Sequence, residues 1–231
     1  MNDPVLNAHA LTKNYGPTRA LAGVDAAVHR GESLAIMGAS GSGKTTLLHA
    51  LAGIISPDSG SVAFTSVSGE RIDVTGQSES VRSRLRRERF GFVFQQGLLI
   101  PELTAIENVA LALMINGTKR QEAIGPAAAW LQSLGLAGME DRRIGELSGG
   151  QAQRVAIARA QVTGAELIFA DEPTGALDSH TSAEVMDALL WSTTGQGRTL
   201  VVVTHDSQVA ARCTRVLRMR DGVIVDAEVS A

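Results

Sequence analysis

Short apolar runs recur along this chain, separated by stretches in which apolar positions return every three or four residues. Residues 62–64, 90–94, 167–170, 200–203 and 216–219 are rich in β-branched and aromatic types. The runs at 167–170 and 200–203 contain no polar residue, a pattern that suits strands buried on both faces. Helix-like stretches at 45–52, 151–161 and 182–191 lie between several of them. Strands alternating with helices predict a largely parallel sheet covered on both faces. The first thirty residues differ: 5–11 and 21–29 read as short strands, with turns at 14–16 and 30–31, and predict antiparallel pairing. Residues 104–135 are helix-rich, with 127–134 as the clearest helix. The expected fold class is α/β: a mostly parallel core sheet, an antiparallel β edge subdomain and an inserted helical subdomain at about 96–163. Neither a linker, a repeat nor a low-complexity tract divides the chain, so one domain over 1–231 is expected.

Charge and composition narrow the function classes. The 231 residues carry 21 Lys and Arg against 24 Asp and Glu, a formal net charge of -3, which argues against binding nucleic acid through bulk positive charge. Hydrophobic residues at 44% and charged residues at 19% are ordinary globular values that exclude wholesale disorder. The single cysteine, Cys213, rules out an internal disulfide framework and fits a reducing compartment. The longest apolar run, 109–115, is far short of the roughly 20 residues that span a bilayer. Residues 1–11 lack the basic-then-apolar layout of a secretory leader. An intracellular chain without its own membrane span is expected.

The strongest local signal follows the strand-like run 33–37. Gly38-Ala39-Ser40-Gly41-Ser42-Gly43-Lys44-Thr45, continuing into Thr46 and a helical stretch, matches G-x-x-x-x-G-K-[ST] in its strand–loop–helix context. Glycines let backbone N–H groups curl around oxyanions, and the helix N-terminus adds its positive end. Lys44, one of only three lysines, is placed to neutralise β/γ-phosphate charge, and the Thr45 hydroxyl to ligate Mg²⁺. A second signal is the apolar run 167–170 ending in Asp171-Glu172. At the carboxyl end of a parallel strand these acids would emerge at the ligand crevice. Asp171 would hold Mg²⁺, and Glu172 would polarise a water that attacks the γ-phosphate. A third is Leu147-Ser148-Gly149-Gly150-Gln151 before a helical stretch. Alone it could be a helix start with Ser148 as N-cap, but a glycine-rich helix N-terminus is also an anion site.

Together these motifs, with Arg154-Val155-Ala156-Ile157-Ala158-Arg159 and Asp171-Glu172-Pro173-Thr174, resemble the nucleotide-binding subunits of ABC transporters over essentially the whole chain. The departures are small: Ala152 stands where relatives often have glutamine, and Ile144 where some have proline. The resemblance implies a P-loop ATPase that uses ATP and Mg²⁺. It matches Tyr15 to the aromatic that stacks on adenine. It matches Gln95 to the glutamine that touches Mg²⁺ or the lytic water, although Gln96 follows immediately. Asp178 matches an aspartate loop that crosses between subunits, and His205 a histidine that contacts the γ-phosphate. In that family Ser148, Gly149, Gly150 and Gln151 meet the γ-phosphate held by a second subunit. One set of motifs therefore implies a homodimer with two composite sites.

The resemblance further implies an integral-membrane permease, two copies of it, as partner, and a place on the cytoplasmic face of the cell membrane. Residues 92–96, 103–109 and 171–179 look most like the branch that serves macrolide, lipoprotein, antimicrobial-peptide and haem export. The stretch after Gly222 is short, so no regulatory domain is expected there. Hydrophobic or amphipathic cargo is the analogy's expectation. The alternative is a membrane complex that uses ATP to signal or to regulate cell-wall enzymes. A DNA-repair ATPase fits poorly, because coiled-coil and zinc insertions are lacking. The loop 95–104, with Leu98, Leu99 and Ile100, is the expected coupling surface. The arginine run at 82–89 reads as a solvated helix before a strand, and Cys213 as a half-buried structural thiol.

Overall fold

The computed structural model describes residues 4–229. The first three positions of the leader reading and the last two of the expected domain lie outside the described residues. Two 12-residue strands open the chain, β1 (Pro4–Tyr15) and β2 (Thr18–His29). β3 (Ser33–Met37) leads into α1 (Lys44–Leu51), after which β4 (Ser59–Thr65) and β5 (Arg71–Asp73) return to the first pair. Then come α2 (Glu79–Glu88), β6 (Phe90–Phe94), and the helices α3 (Ala105–Ile115), α4 (Arg120–Ser133) and α5 (Gly149–Gln161). β7 (Leu167–Asp171), α6 (Ser179–Ser192), β8 (Thr199–Thr204), α7 (Ser207–Ala210), β9 (Arg215–Arg220) and β10 (Val223–Val229) complete the described chain.

The strands form two sheets. One is antiparallel in the order β2-β1-β4-β5, and the other runs β10-β9-β3-β8-β7-β6. In the larger sheet β9, β3, β8, β7 and β6 are parallel neighbours, and β10 joins the edge antiparallel to β9. The apolar strands are explained by what covers each face. Leu200 and Val202 of β8, Ile168 and Ala170 of β7, and Ala35 of β3 pack into the layer containing α3 to α6. Val201, Val203, Leu167, Phe169, Leu34 and Ile36 point the other way, into α1 and the antiparallel sheet. Alternate residues therefore enter two separate cores, which is why no position in these runs is polar. Phe90 stitches the second core, with edge-on contacts to Phe64 at 5.0 Å and Phe169 at 5.5 Å between ring centroids.

Three sequence expectations shift. The run at 62–64 lies in the antiparallel sheet, opposite β1, rather than in the parallel core. The helix expected at 127–134 begins at Arg120 and runs through Pro126. Proline removes one backbone donor, but buried Ala123, Ala127 and Leu131, spaced four apart, hold α4 on α3 and α5. Cys213 is fully buried rather than half-buried; its thiol points to the Val209 carbonyl, and burial pushes its pKa up to about 11. Within the arginine run, Arg82 and Arg86 pair with Glu79, Arg87 bonds Ser83, and Arg89 pairs with Glu166 at 2.7 Å.

Candidate nucleotide site

Strand order decides where the candidate residues meet. β8 lies between β3 and β7, with Met37 opposite Thr204 and Asp171 opposite Val203. The loop 38–43, the Asp171-Glu172 pair and His205 therefore leave the same edge of the sheet, at its carboxyl end. A cavity of about 500 Å³ opens there, lined by Gly41, Gly43, Lys44, Thr45, Glu172 and His205, with Ala20 of β2 on the far wall. A second, of about 510 Å³, lies on the other side of the loop against Gly38, Ala39, Ser42, His205, Arg218 and Arg220.

The loop's glycines are required by their surroundings. At Gly43 φ is +101°, and a Cβ would lie 2.3 Å from the Ala20 carbonyl oxygen. At Gly38 a Cβ would meet the Met219 carbonyl oxygen at 2.3 Å and Ser42 Oγ at 2.5 Å. Backbone thus approaches backbone too closely for any side chain. α1 starts at Gly43 without a side-chain cap, so its first N–H groups have no partner of that kind. The Ser42 hydroxyl is buried and has no hydrogen-bond partner among the described residues. Lys44 is buried, and its ammonium donates to the Ala39 carbonyl at 2.9 Å, a neutral acceptor. Uncapped N–H groups, an orphan hydroxyl and a buried ammonium make a cradle whose chemistry fits a polyphosphate.

Beside the cradle, Thr45 Oγ1 donates to Asp171 Oδ1 at 3.2 Å. Burial raises the Asp171 pKa, partly opposed by the Thr45 bond. A hydroxyl and a carboxylate that share a half-buried corner are hard oxygen donors, and they fit Mg²⁺. Burial also lowers the pKa of His49, behind Asp171 on α1. Glu172 follows directly, at φ +47°, with its N–H donating to the Val203 carbonyl at 2.9 Å. A non-glycine residue held in the left-handed region is strained, and β8 supplies the restraint. His205 Nδ1 lies 2.9 and 3.0 Å from the two Glu172 carboxylate oxygens.

Comparison with known proteins gives the family. Residues 21–175 match the ABC transporter family. The chain is 46% identical over 230 residues to a pyoverdine export ATP-binding/permease protein of Pseudomonas savastanoi pv. phaseolicola, covering 97% of this chain and 34% of that protein. It is 45% identical over 227 residues to the counterpart in Pseudomonas aeruginosa, covering 96% and 33%. This chain belongs to the ABC transporter family. It spans about a third of the length of these relatives. Among solved structures, a dimeric bacterial ABC transporter cassette superposes with a TM-score of 0.87 at 36% identity, covering 98% of this chain and 99% of that one. A post-hydrolysis dimer of the same cassette, bound to ADP and Pi, gives 0.86. The ABC ATPase cassette fold is shared throughout.

The remaining expected residues do not line the cavity beside Lys44, although Gln95 comes near Glu172, both lying against Gly175. Ser148, Gly149, Gly150 and Gln151 line neither cavity. Ser148 caps α5: its Oγ accepts from the Gln151 N–H at 3.3 Å, and its own N–H donates to Gln151 Oε1 at 2.9 Å. Among the described residues neither the Ser148 O–H nor the Gln151 side-chain N–H groups have an acceptor, and Ser148 is exposed. Gly150 has a packing reason as well, since a Cβ would meet Thr181 Cγ2 at 2.4 Å. Asp178 caps α6, accepting from the His180 and Thr181 N–H groups at 3.0 Å and from the Thr181 hydroxyl, which lowers its pKa. Tyr15 ends β1, half exposed, with the Lys13 ammonium 5.9 Å from its ring centre. Gln95 follows β6 at the start of an exposed loop, beside Gly175, where a Cβ would lie 3.0 Å from its Nε2. In the same loop Leu98 and Ile100 are exposed, and Leu99 packs on the core. Sequence reasoning missed Ala20 and Gly175, which act through tertiary approach and carry no local signal.

Proposed function

We propose that this cassette binds ATP with Mg²⁺, hydrolyses it in composite sites between two copies, and drives a membrane exporter. The observation that carries the proposal is the convergence, at one sheet edge, of an uncapped helix start with Lys44, the Thr45–Asp171 pair and the Glu172–His205 pair. The roles follow from that geometry. The N–H groups of residues 41–46 and the Lys44 ammonium bind the β- and γ-phosphates. Thr45, Asp171 and Gln95 are the side chains that would hold Mg²⁺, which when bound neutralises phosphate charge and orients the oxygens. Glu172 takes a proton from water as the water oxygen bonds to the γ-phosphorus. The bond from phosphorus to the bridging oxygen breaks, and ADP leaves with that electron pair. His205 orients the Glu172 carboxylate and donates to the γ-phosphate. Tyr15 stacks on adenine.

Ser148, Gly149, Gly150 and Gln151 of a second copy complete each site, with Asp178 at the seam. The exposed α5 start, which lines neither cavity of its own chain, and the dimeric form of the superposed cassette support this arrangement. Export is supported by the names of the relatives, which join ATP binding to a permease and concern pyoverdine. A permease at the membrane is accordingly the proposed partner, with the cassette on the cytoplasmic face. Among the described residues no helix is long and apolar enough to cross a membrane. Hydrophobic or amphipathic cargo stands as an analogy with the export branch.

The test is phosphate release from ATP by the purified chain, with Mg²⁺ and with chelator. Lys44→Ala should abolish nucleotide binding, while Ser148→Arg should leave each chain able to bind ATP yet unable to hydrolyse it. Turnover that survives Ser148→Arg unchanged rejects the composite site.

A further inference from the structure

The loop that begins at Gln95 is held by one helix at two places. Gln153 of α5, almost fully buried, donates from Nε2 to the carbonyl of Phe94 at 2.9 Å. Arg159, two turns further along α5, donates from Nη1 to the Leu98 carbonyl and from Nη2 to the Gly97 carbonyl, both at 2.7 Å. Gly97 (φ +65°) and Leu98 (φ +46°) are consecutive left-handed residues. Such a pair turns both carbonyls to one side, and Leu98 does so against its own steric preference. The Arg159 guanidinium is largely removed from water, which lowers its pKa, and it receives no carboxylate among its hydrogen bonds. A guanidinium keeps its charge in a protein, so these two carbonyls are what offset its burial. The backbone on both sides of Gln95 is thus fastened to the helix whose first turn is Gly149 to Gln151.

We infer that Arg159 and Gln153 are positioning residues that make the backbone around Gln95 move as one piece with the Ser148–Gln151 turn. The Gln95 amide already lies beside Gly175, and a displacement of the turn on meeting a second subunit moves it through the same bonds. The inference rests on the ATPase reading above and adds residues that touch neither nucleotide nor metal in it.

A double-mutant cycle tests it. Arg159→Ala should lower kcat about tenfold while KM for ATP stays within about twofold, because phosphate binding is untouched. Arg159→Lys should recover only part of the loss, since a point charge cannot fork to two carbonyls. In a Gln95→Ala background Arg159→Ala should cost less than about twofold, as expected of a residue that acts through Gln95. Amide exchange of residues 97–101 should rise in Arg159→Ala. Where Arg159→Ala does not fold, Gln153→Ala runs the same cycle. An equal loss in both backgrounds, or no loss, overturns the inference alone; a wild-type chain without turnover overturns the ATPase reading and the inference with it.

Discussion

Replacing Glu172 with glutamine separates chemistry from stability at the centre of the site. Glutamine is nearly isosteric, and at φ +47° it meets the same backbone restraint, the 2.9 Å bond from its N–H to Val203. Of the two contacts that His205 makes with the carboxylate, at 2.9 and 3.0 Å, the amide oxygen can still accept one. One neutral hydrogen bond at a partly exposed site is worth about 1 kcal/mol, so the folding free energy should fall by no more than that. The barrier is another matter. A positioned general base contributes about 10²–10⁴-fold, which amounts to about 3–5 kcal/mol in the activation free energy. Urea unfolding and steady-state phosphate release on the same preparation should show a small shift in midpoint and a loss of at least a hundredfold in kcat. ATP should then persist in the variant and hold it as a dimer. Turnover within threefold of wild type, with intact folding, would refute the assignment of Glu172 as base.

Two further outcomes concern the scaffold. Glu166, at the opposite end of β7, accepts from Arg89 at 2.7 Å and from the Val67 N–H at 2.6 Å with its side chain nearly buried, and Arg89 keeps access to water, so Glu166→Ala should cost about 1–3 kcal/mol in urea unfolding while the folded fraction retains normal KM. Cys213 is protonated in the fold up to about pH 11 but titrates near 9.0 when unfolded. Its contribution is complete below pH 9 and is lost as pH rises towards 11, about 3 kcal/mol in all. The stability difference between wild type and Cys213→Ala should therefore shrink across that window, and thiol reagents should label the native chain only on unfolding.

Contiguous chemistry was legible before the fold. The cradle 38–46 and the Asp171-Glu172 pair are each defined by neighbours in sequence, and the alternation of strand and helix sufficed to put their strand ends at one sheet edge. Residues that act across the fold left no such trace. Ala20 matters because its carbonyl closes on Gly43, and Gly175 because the Gln95 amide lies against it. The run at 62–64 looks like any core strand, and only its pairing with β1 assigns it to the antiparallel sheet. The clearest helical stretch in the sequence, 127–134, begins just after Pro126, whereas packing of Ala123 and Ala127 carries α4 from Arg120 through the proline. Arg159 belongs to a motif, yet its forked bond depends on the left-handed turn at Leu98 and Gly97, 61 and 62 residues earlier in the chain, which no spacing rule connects to it.

The central claim is that each working site is shared between two copies, and two inactive variants test it most directly. Lys44→Ala damages the cradle and Ser148→Arg the opposing turn, so each homodimer has no intact site. In a mixed dimer, however, the cradle of the Ser148→Arg chain faces the unaltered turn of the Lys44→Ala chain. An equimolar mixture should regain about a quarter of wild-type turnover, since half of the randomly formed dimers carry one good site of two. A mixture as inactive as its components, or full turnover by either variant alone, would contradict the account.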